Sequence, residues 1–235
     1  MTLEETALAR LTGNRLLYID MLEVLRRGTA EIRRAGSDGV LLYDPPSEVW
    51  FLDAETPAVL EEMLPLMEGC TILTGHQMWY KDKLAAHFGF QTEQICHQAA
   101  WMSNQMPTVP AFDGEIRRLD QSWTEWAEEH YSHSFGGVDY MRDAIDRGML
   151  GAFVAGKPAG FIATHIEGSM GMLEVLPQFR RRGLAEVLEA ALIDQQLRRG
   201  RFPYCHVRYG NVASEALQRK MGLVFDESRT LCWLG

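Results

Sequence analysis

The chain has 235 residues, 46% hydrophobic and 10% aromatic, enough to bury a core and to form one large or two small domains. Its net charge of −9 argues against a general nucleic-acid binder, which would present an excess of Lys and Arg to phosphates. The four cysteines, Cys70, Cys96, Cys205 and Cys232, lack C-x-x-C spacing, so neither a zinc site nor a disulfide framework is expected and a reducing cytoplasm is the simplest setting.

The start, Met1-Thr2-Leu3-Glu4-Glu5, lacks the basic and apolar parts of a signal peptide, and no stretch approaches a membrane span; we expect a soluble cytoplasmic protein with no membrane partner. Leu8, Leu11, Leu16, Tyr18, Ile19, Leu22, Leu25 and Ile32 alternate with charged positions at helical period, which predicts an amphipathic helical region up to about residue 35. Gly36-Ser37-Asp38-Gly39 ends it. Residues 40–43 and 49–52 predict a hairpin around Asp44-Pro45-Pro46-Ser47. A helix over 58–67, a strand over 71–74, a helix around 78–88 and a strand around 93–101 follow. Residues 107–111, in a stretch with two prolines, are the expected linker between a domain of residues 1–106 and one of residues 112–235.

Beyond the linker, 116–119 predicts a strand, 123–131 and 138–147 two short helices, and 151–164 a hairpin turned at Gly156-Lys157-Pro158. Trp123, Trp126, Tyr131, Phe135 and Tyr140 cluster here at a spacing that suits core anchors as well as a ligand cleft. His130 and His133 lack metal-ligand spacing.

The stretch from Val175 to Ala185 is a strand end, a proline, three arginines and a glycine, followed by a strongly helical run. The unpaired N–H groups of a helix N-terminus attract anions; Gly183 lets one approach the main chain, and Arg180, Arg181 and Arg182 add charge. A solvated basic turn is the alternative. Downstream come a strand over 202–209, an Asn turn at Asn211 and a short helix ending at Gly222.

This order, V-x-P, then R-x-x-G-x-A, then a strand and an N-x-x-x-x-x-L helix closed by Gly, resembles the GNAT superfamily of acyl-CoA-dependent N-acyltransferases. Within it the L-P-x-F-R turn and the P-x-x-H-V-x-Y-x-N strand are most similar to the glycine N-acyltransferase-like group. The likeness covers about residues 112–235. It implies an α/β fold, a GNAT-like mixed twisted sheet with flanking helices. Val59-Leu60-Glu61-Glu62 answers Val187-Leu188-Glu189-Ala190, and 84–90 answers 217–223, in the same element order, so residues 1–106 read as a smaller degenerate GNAT-like half. There Asp53 and Glu55 stand where the arginine loop would be and would repel a pyrophosphate.

The resemblance implies that Val175 and Leu176 hold the pantetheine arm, and that Arg180, Arg181, Arg182, Gly183, Leu184 and Ala185 hold the pyrophosphate. Asn211 and Ser214 add contacts on the next helix, with an N-cap as the alternative for Asn211. Where many relatives place a catalytic glutamate this chain has Ser169. Strand alternation would put His165, Glu167 and Ser169 on one face with Val175, and Glu174 on the other, making Glu167, helped by Ser169, one candidate base. His206 on the next strand is another. The usual tyrosine acid is Gln218 here, so the proton for the thiolate must come from Tyr209, solvent or the amine. The expected activity is acyl transfer, with acetyl-CoA as cosubstrate and no metal, to the amine of a small molecule or amino acid, by direct attack; a homodimer is left open. Ser169 and Gln218 also motivate a rival, a catalytically silent CoA-binding sensor or interaction module. A scaffolding pair without CoA affinity is a third reading.

Overall fold

The computed structural model of the protein describes residues 1–133 and 136–235, which divide into two compact units. The first is Met1–Ala100 with His206–Glu215 and Val224–Gly235; the second is Trp101–Cys205 with Ala216–Leu223.

In the first unit, α1 (Leu3–Leu11) starts from a capping box in which Thr2 and Glu5 each accept the other's main-chain N–H. α2 (Ile19–Arg26) stops before Gly28, which takes φ +69. The helical region expected to run to about residue 35 therefore ends sooner, and β1 (Glu31–Gly36) is an edge strand. Its Glu, Arg and Ala are good helix formers, and only pairing with the next strand makes them extended. The expected hairpin is β2 (Gly39–Asp44) and β3 (Val49–Ala54), in register from Gly39 opposite Ala54 to Asp44 opposite Val49. α3 (Pro57–Met63) is capped by Thr56 and leads to β4 (Leu73–Gly75), parallel to β3. α4 (Lys81–Phe88) closes on left-handed Gly89 and gives way to β5 (Glu93–Ala100). Leu41, Leu52, Leu60, Leu73, Tyr80 and Leu84 form the core, each fully buried. Each such apolar side chain contributes roughly 1.5–3 kcal/mol.

The second unit holds an antiparallel meander of β6 (Glu115–Arg118), β7 (Leu150–Val154), β8 (Lys157–Thr164) and β9 (Met170–Val175). α5 (Thr124–His130) and α6 (Gly137–Arg147) lie between β6 and β7 in sequence, and α7 (Leu184–Arg198) follows β9. Met141, Ile145, Phe153, Phe161 and Met172 form its core, with Trp123, Trp126, Tyr131 and Tyr140 packed against it. These aromatics are anchors, as their spacing allowed; Phe135 lies outside the described residues.

The rest of the chain contributes to both units. β10 (Tyr204–Arg208) and α8 (Val212–Met221) each have residues in both units, and β11 (Val224–Phe225) pairs with β5. β12 (Leu231–Leu234) inserts between β4 and β5, antiparallel to both, with Leu234 opposite Leu73 on one side and Glu93 on the other. Compactness thus follows a different line from the contiguous division at 107–111, which remains a proposal about how the chain is built. The element order, hairpin, helix, strand, helix, strand, is repeated in the two halves of the chain. All four cysteines are buried and free, and burial pushes the Cys70 and Cys232 thiols up to about 12 and Cys96 to about 11. Among the described residues no helix is long and apolar enough to cross a membrane.

A buried ionic pair ties the first unit together. His76 and Asp20 are both fully buried, with His76 Nε2 at 2.9 Å from Asp20 Oδ1 and His76 Nδ1 at 3.1 Å from the Leu52 carbonyl. Both ring nitrogens face acceptors, so the geometry calls for an imidazolium. His206 Nε2 approaches Asp20 Oδ2 at 3.5 Å, and the Trp233 indole N–H donates to His206 Nδ1 at 3.0 Å.

Candidate active site

β9 is the edge strand of its sheet, and Leu176 N–H donates to Ala159 O at 2.9 Å. By antiparallel alternation the main-chain groups of the preceding residue, Val175, point away from β8, towards the open edge. Val175 can therefore offer its N–H to an extended ligand. Leu176 cannot, because its N–H is engaged by Ala159 and its carbonyl accepts Phe179 N–H at 2.8 Å; its part in the expected pantetheine edge is corrected to a packing role.

After Leu176 a short 3-10 turn over Pro177–Phe179 leads to an exposed loop, Arg180–Gly183, at the start of α7. Arg181 takes φ +62 and Gly183 φ +79, left-handed positions that turn successive N–H groups the same way. Among the described residues, the main-chain N–H groups of 181–186 have no acceptor within the protein. No side chain caps Gly183, and a Cβ built there meets nothing within 4 Å. Glu186, the acid of the first turn, is neutralised by Lys220 Nζ at 2.6 Å. Open amides, a bare glycine and a positive helix end fit a diphosphate.

The three arginines have different surroundings. Arg180 folds back, its Nε donating to Val175 O at 2.8 Å and its Nη2 to Glu174 Oε1 at 3.2 Å. It latches the loop to the strand end rather than reaching outward. Glu174 is also held by Ser132 Oγ at 2.7 Å. Arg182 lies 5.9 Å from the Phe179 ring centroid, and Arg181 and Arg182 are exposed. These two are the side chains able to meet an anion. Leu184 is buried under the loop and Ala185 half-buried.

The candidate proton-handling residues are placed differently from the sequence expectation. β9 begins only at Met170, so Glu167 and Ser169 sit in the β8–β9 turn, closed by His165 N–H to Ser169 O at 2.9 Å, and not on the strand. Gly168 at φ +109 permits the turn, and local alternation could not announce it. Within β9 the expected facing is kept, with 170, 172 and 174 buried and 171, 173 and 175 partly exposed, despite a bulge at Met172 with φ +52. Ser169 Oγ donates directly to Glu167 Oε1, and Tyr204 hydroxyl donates to the Glu167 carbonyl at 3.2 Å. His206 is corrected to a structural position, because its ring is buried between Trp233 and Asp20 in the first unit. Asn211 caps α8, its Oδ1 accepting Ser214 N–H at 3.2 Å, and both residues belong to the first unit.

Two arrangements were not anticipated. Tyr140 Oη lies 2.5 Å from His165 Nδ1, and the His165 ring occupies the space beside Gly171, where a Cβ would come within 2.5 Å of Nε2. Only glycine at 171 leaves room for that ring. In α7, Glu189 is buried against Gln218, and burial, moderated by the Gln218 hydrogen bond, raises its carboxyl from 4.5 to about 7. Between those two values only the folded state keeps the proton, so the group lowers stability as pH rises through that window. Glu189→Gln is therefore expected to raise stability over wild type by up to about 3 kcal/mol at pH 8 and to change little at pH 4, in paired thermal melts.

Residues 147–234 match the family model described as FR47-like protein. No curated protein matches the chain by sequence. Among solved structures, a Drosophila protein is similar at TM-score 0.68 and 19% identity, over 83% of this chain and 73% of that one. A GCN5-related N-acetyltransferase-like protein from Streptococcus suis is similar at TM-score 0.55 and 17% identity, over 97% of this chain and 99% of that one. A tandem GNAT protein from the clavulanic acid biosynthesis pathway is similar at TM-score 0.51 and 16% identity, over 99% and 93%. The chain has the fold of the GCN5-related N-acetyltransferases, and its likeness to the GNAT superfamily holds.

Proposed function

We propose that the protein is an acyl-CoA-dependent N-acyltransferase, with acetyl-CoA as donor and a small amine or amino acid as acceptor. The observation that carries this is the run of unengaged amides at 181–186 beside two outward arginines and an open strand edge. Acyl-CoA, when bound, supplies the thioester carbonyl. The amides with Arg181 and Arg182 hold its diphosphate, Arg180 keeps the loop against β9, and Val175 N–H lines the pantetheine arm. The Ser169–Glu167 pair takes the proton of the attacking amine, Ser169 passing its own to the carboxylate, and that proton then serves the departing thiolate. The buried Cys205 plays no nucleophilic part. Likeness to the glycine N-acyltransferase-like group, through the Leu176–Arg180 and Pro203–Asn211 patterns, favours an amino acid as acceptor.

Free thiol released from acetyl-CoA with a panel of amines tests the reading. Glu167→Gln is expected to lower kcat by roughly 10²–10⁴ while coenzyme A affinity stays at the wild-type value. Equal kcat in the variant would remove Glu167 from the mechanism. A second reading, coenzyme A binding without turnover, is favoured by Gln218, which is buried beside Glu189 at the place where the family resemblance implies a tyrosine. It predicts binding but no thiol release with any amine.

A further inference from the structure

The first unit has a cavity of about 390 Å³ framed by the segment after β4, by His97 of β5 and by the turn before β12. Neither the transferase reading nor the sequence motifs assign it a role. Trp79 is 44% exposed at its wall, unusual for so large an apolar ring. Its orientation is nonetheless set, because the indole N–H donates to Gln77 Oε1 at 3.0 Å and the ring packs edge-on against fully buried Tyr80, 5.0 Å between centroids. A fixed, exposed indole is a platform for a flat apolar body.

Arg229 lines the same cavity. Asp226 Oδ1 accepts the N–H groups of Ser228 and Arg229 at 2.9 and 3.1 Å and so fixes the turn that presents it. Its Nη1 stands 3.4 Å from Tyr18 Oη and 3.6 Å from Asp53 Oδ1, longer than a well-made charged hydrogen bond. Asp53 is already bound by Arg10 Nε at 2.8 Å and by Gln77 Nε2 at 3.0 Å. Among the described residues, Nε and Nη2 of Arg229 have no partner. The guanidinium is thus steadied at one corner while the remaining donors are free to grip a carboxylate.

The nearby acids do not make this a cation site. Asp226 has both oxygens engaged, Oδ1 by the turn and Oδ2 by Asn14 Nδ2 at 3.3 Å, leaving the exposed Glu227 as the other acid at the rim. A bare phosphate would meet the arginine but leave the indole wall without a role. We propose that this cavity binds a small aromatic carboxylate, the acid group on Arg229 and the ring on Trp79.

The test uses the full chain and 2-naphthoate, with titration calorimetry and tryptophan fluorescence. Saturable binding is expected, with quenching that disappears in Trp79→Phe. Arg229→Gln and, separately, the neutral isostere 2-naphthamide should each weaken binding by at least about tenfold. Gly183→Glu, altered in the other unit, should bind 2-naphthoate as wild type does, so this proposal and the transferase reading fail independently. Absence of saturable heat, equal affinity for acid and amide, an unaffected Arg229→Gln, or tighter binding of 2-naphthylmethylammonium would each overturn the assignment. Unchanged melting of Arg229→Gln confirms that the fold is intact.

Discussion

Replacing Gly183 with glutamate is expected to abolish coenzyme A binding while the protein stays folded. A side chain at this position meets nothing within 4 Å, so the fold loses no packing. The cost is the left-handed backbone at φ +79, roughly 1–2 kcal/mol for a residue with a Cβ. The new carboxylate would stand over the open amides of 181–186, satisfy some of them from within the chain, and oppose a diphosphate arriving at the same place. Two like charges about 4 Å apart near a protein surface repel by about 4 kcal/mol. That predicts a loss of affinity of at least about a hundredfold by calorimetry. Gly183→Ala carries the same backbone strain without the charge and should retain most of the binding. If Gly183→Glu binds coenzyme A as wild type does, the diphosphate does not rest on this loop.

The loop was legible in the sequence because everything it needs is local: a strand end, a proline, a glycine and a helix that begins without a side-chain cap. The hairpins and long helices were legible for the same reason, since periodicity and turn residues are written within each segment. What was not legible depends on partners distant in the chain. β1 carries helix-forming residues and is a strand because β2 pairs with it. Leu231–Leu234 gives no local sign that it will separate β4 from β5. The sequence alone predicts that the acids at the first half's counterpart of the loop repel a pyrophosphate. Asp53 and Glu55 are in fact both bound by Arg10 of α1, at 2.5 and 2.9 Å. The anion position there is closed by a salt bridge whose cation lies far away in sequence. At the candidate site, strand alternation pairs Glu167 with Ser169, but the left-handed Gly168 puts them in a turn rather than on the strand, where Ser169 donates directly to Glu167. His206 has the intrinsic chemistry of a base and lost that role only through Asp20 and Trp233, which no spacing rule connects to it.

Asp20→Asn is expected to be the most destabilising single change in the first unit. Burial alone would raise the Asp20 carboxyl, but the charge of His76 and the hydrogen bonds from His206 and His76 hold it well below the ordinary carboxylate range. Burial alone would lower the His76 imidazole, and the Asp20 carboxylate reverses this, leaving His76 raised above 6.5. A lowered acid contributes stability above its unfolded value of 3.8 and loses it as pH falls through the folded value. A raised histidine contributes fully below its unfolded value of 6.5 and loses that contribution as pH rises through the folded value. The pair is thus at full strength between about pH 4 and 6.5 and weakens on the alkaline side as His76 gives up its proton. Asn in place of Asp20 keeps the shape but removes the hydrogen-bonded counter-charge of His76 and leaves only the more distant Asp53 to favour its proton, so burial drives the ring towards the neutral form in a site where both nitrogens face acceptors. Breaking a buried pair from one side costs about 3–5 kcal/mol. Urea denaturation followed by tryptophan fluorescence should show that loss at pH 6, a smaller one at pH 9, and a flatter stability profile across pH 6.5–9 in the variant than in wild type. Equal losses at both pH values would mean that His76 is neutral throughout, and that Asp20 holds the unit together by its shape and hydrogen bonds alone.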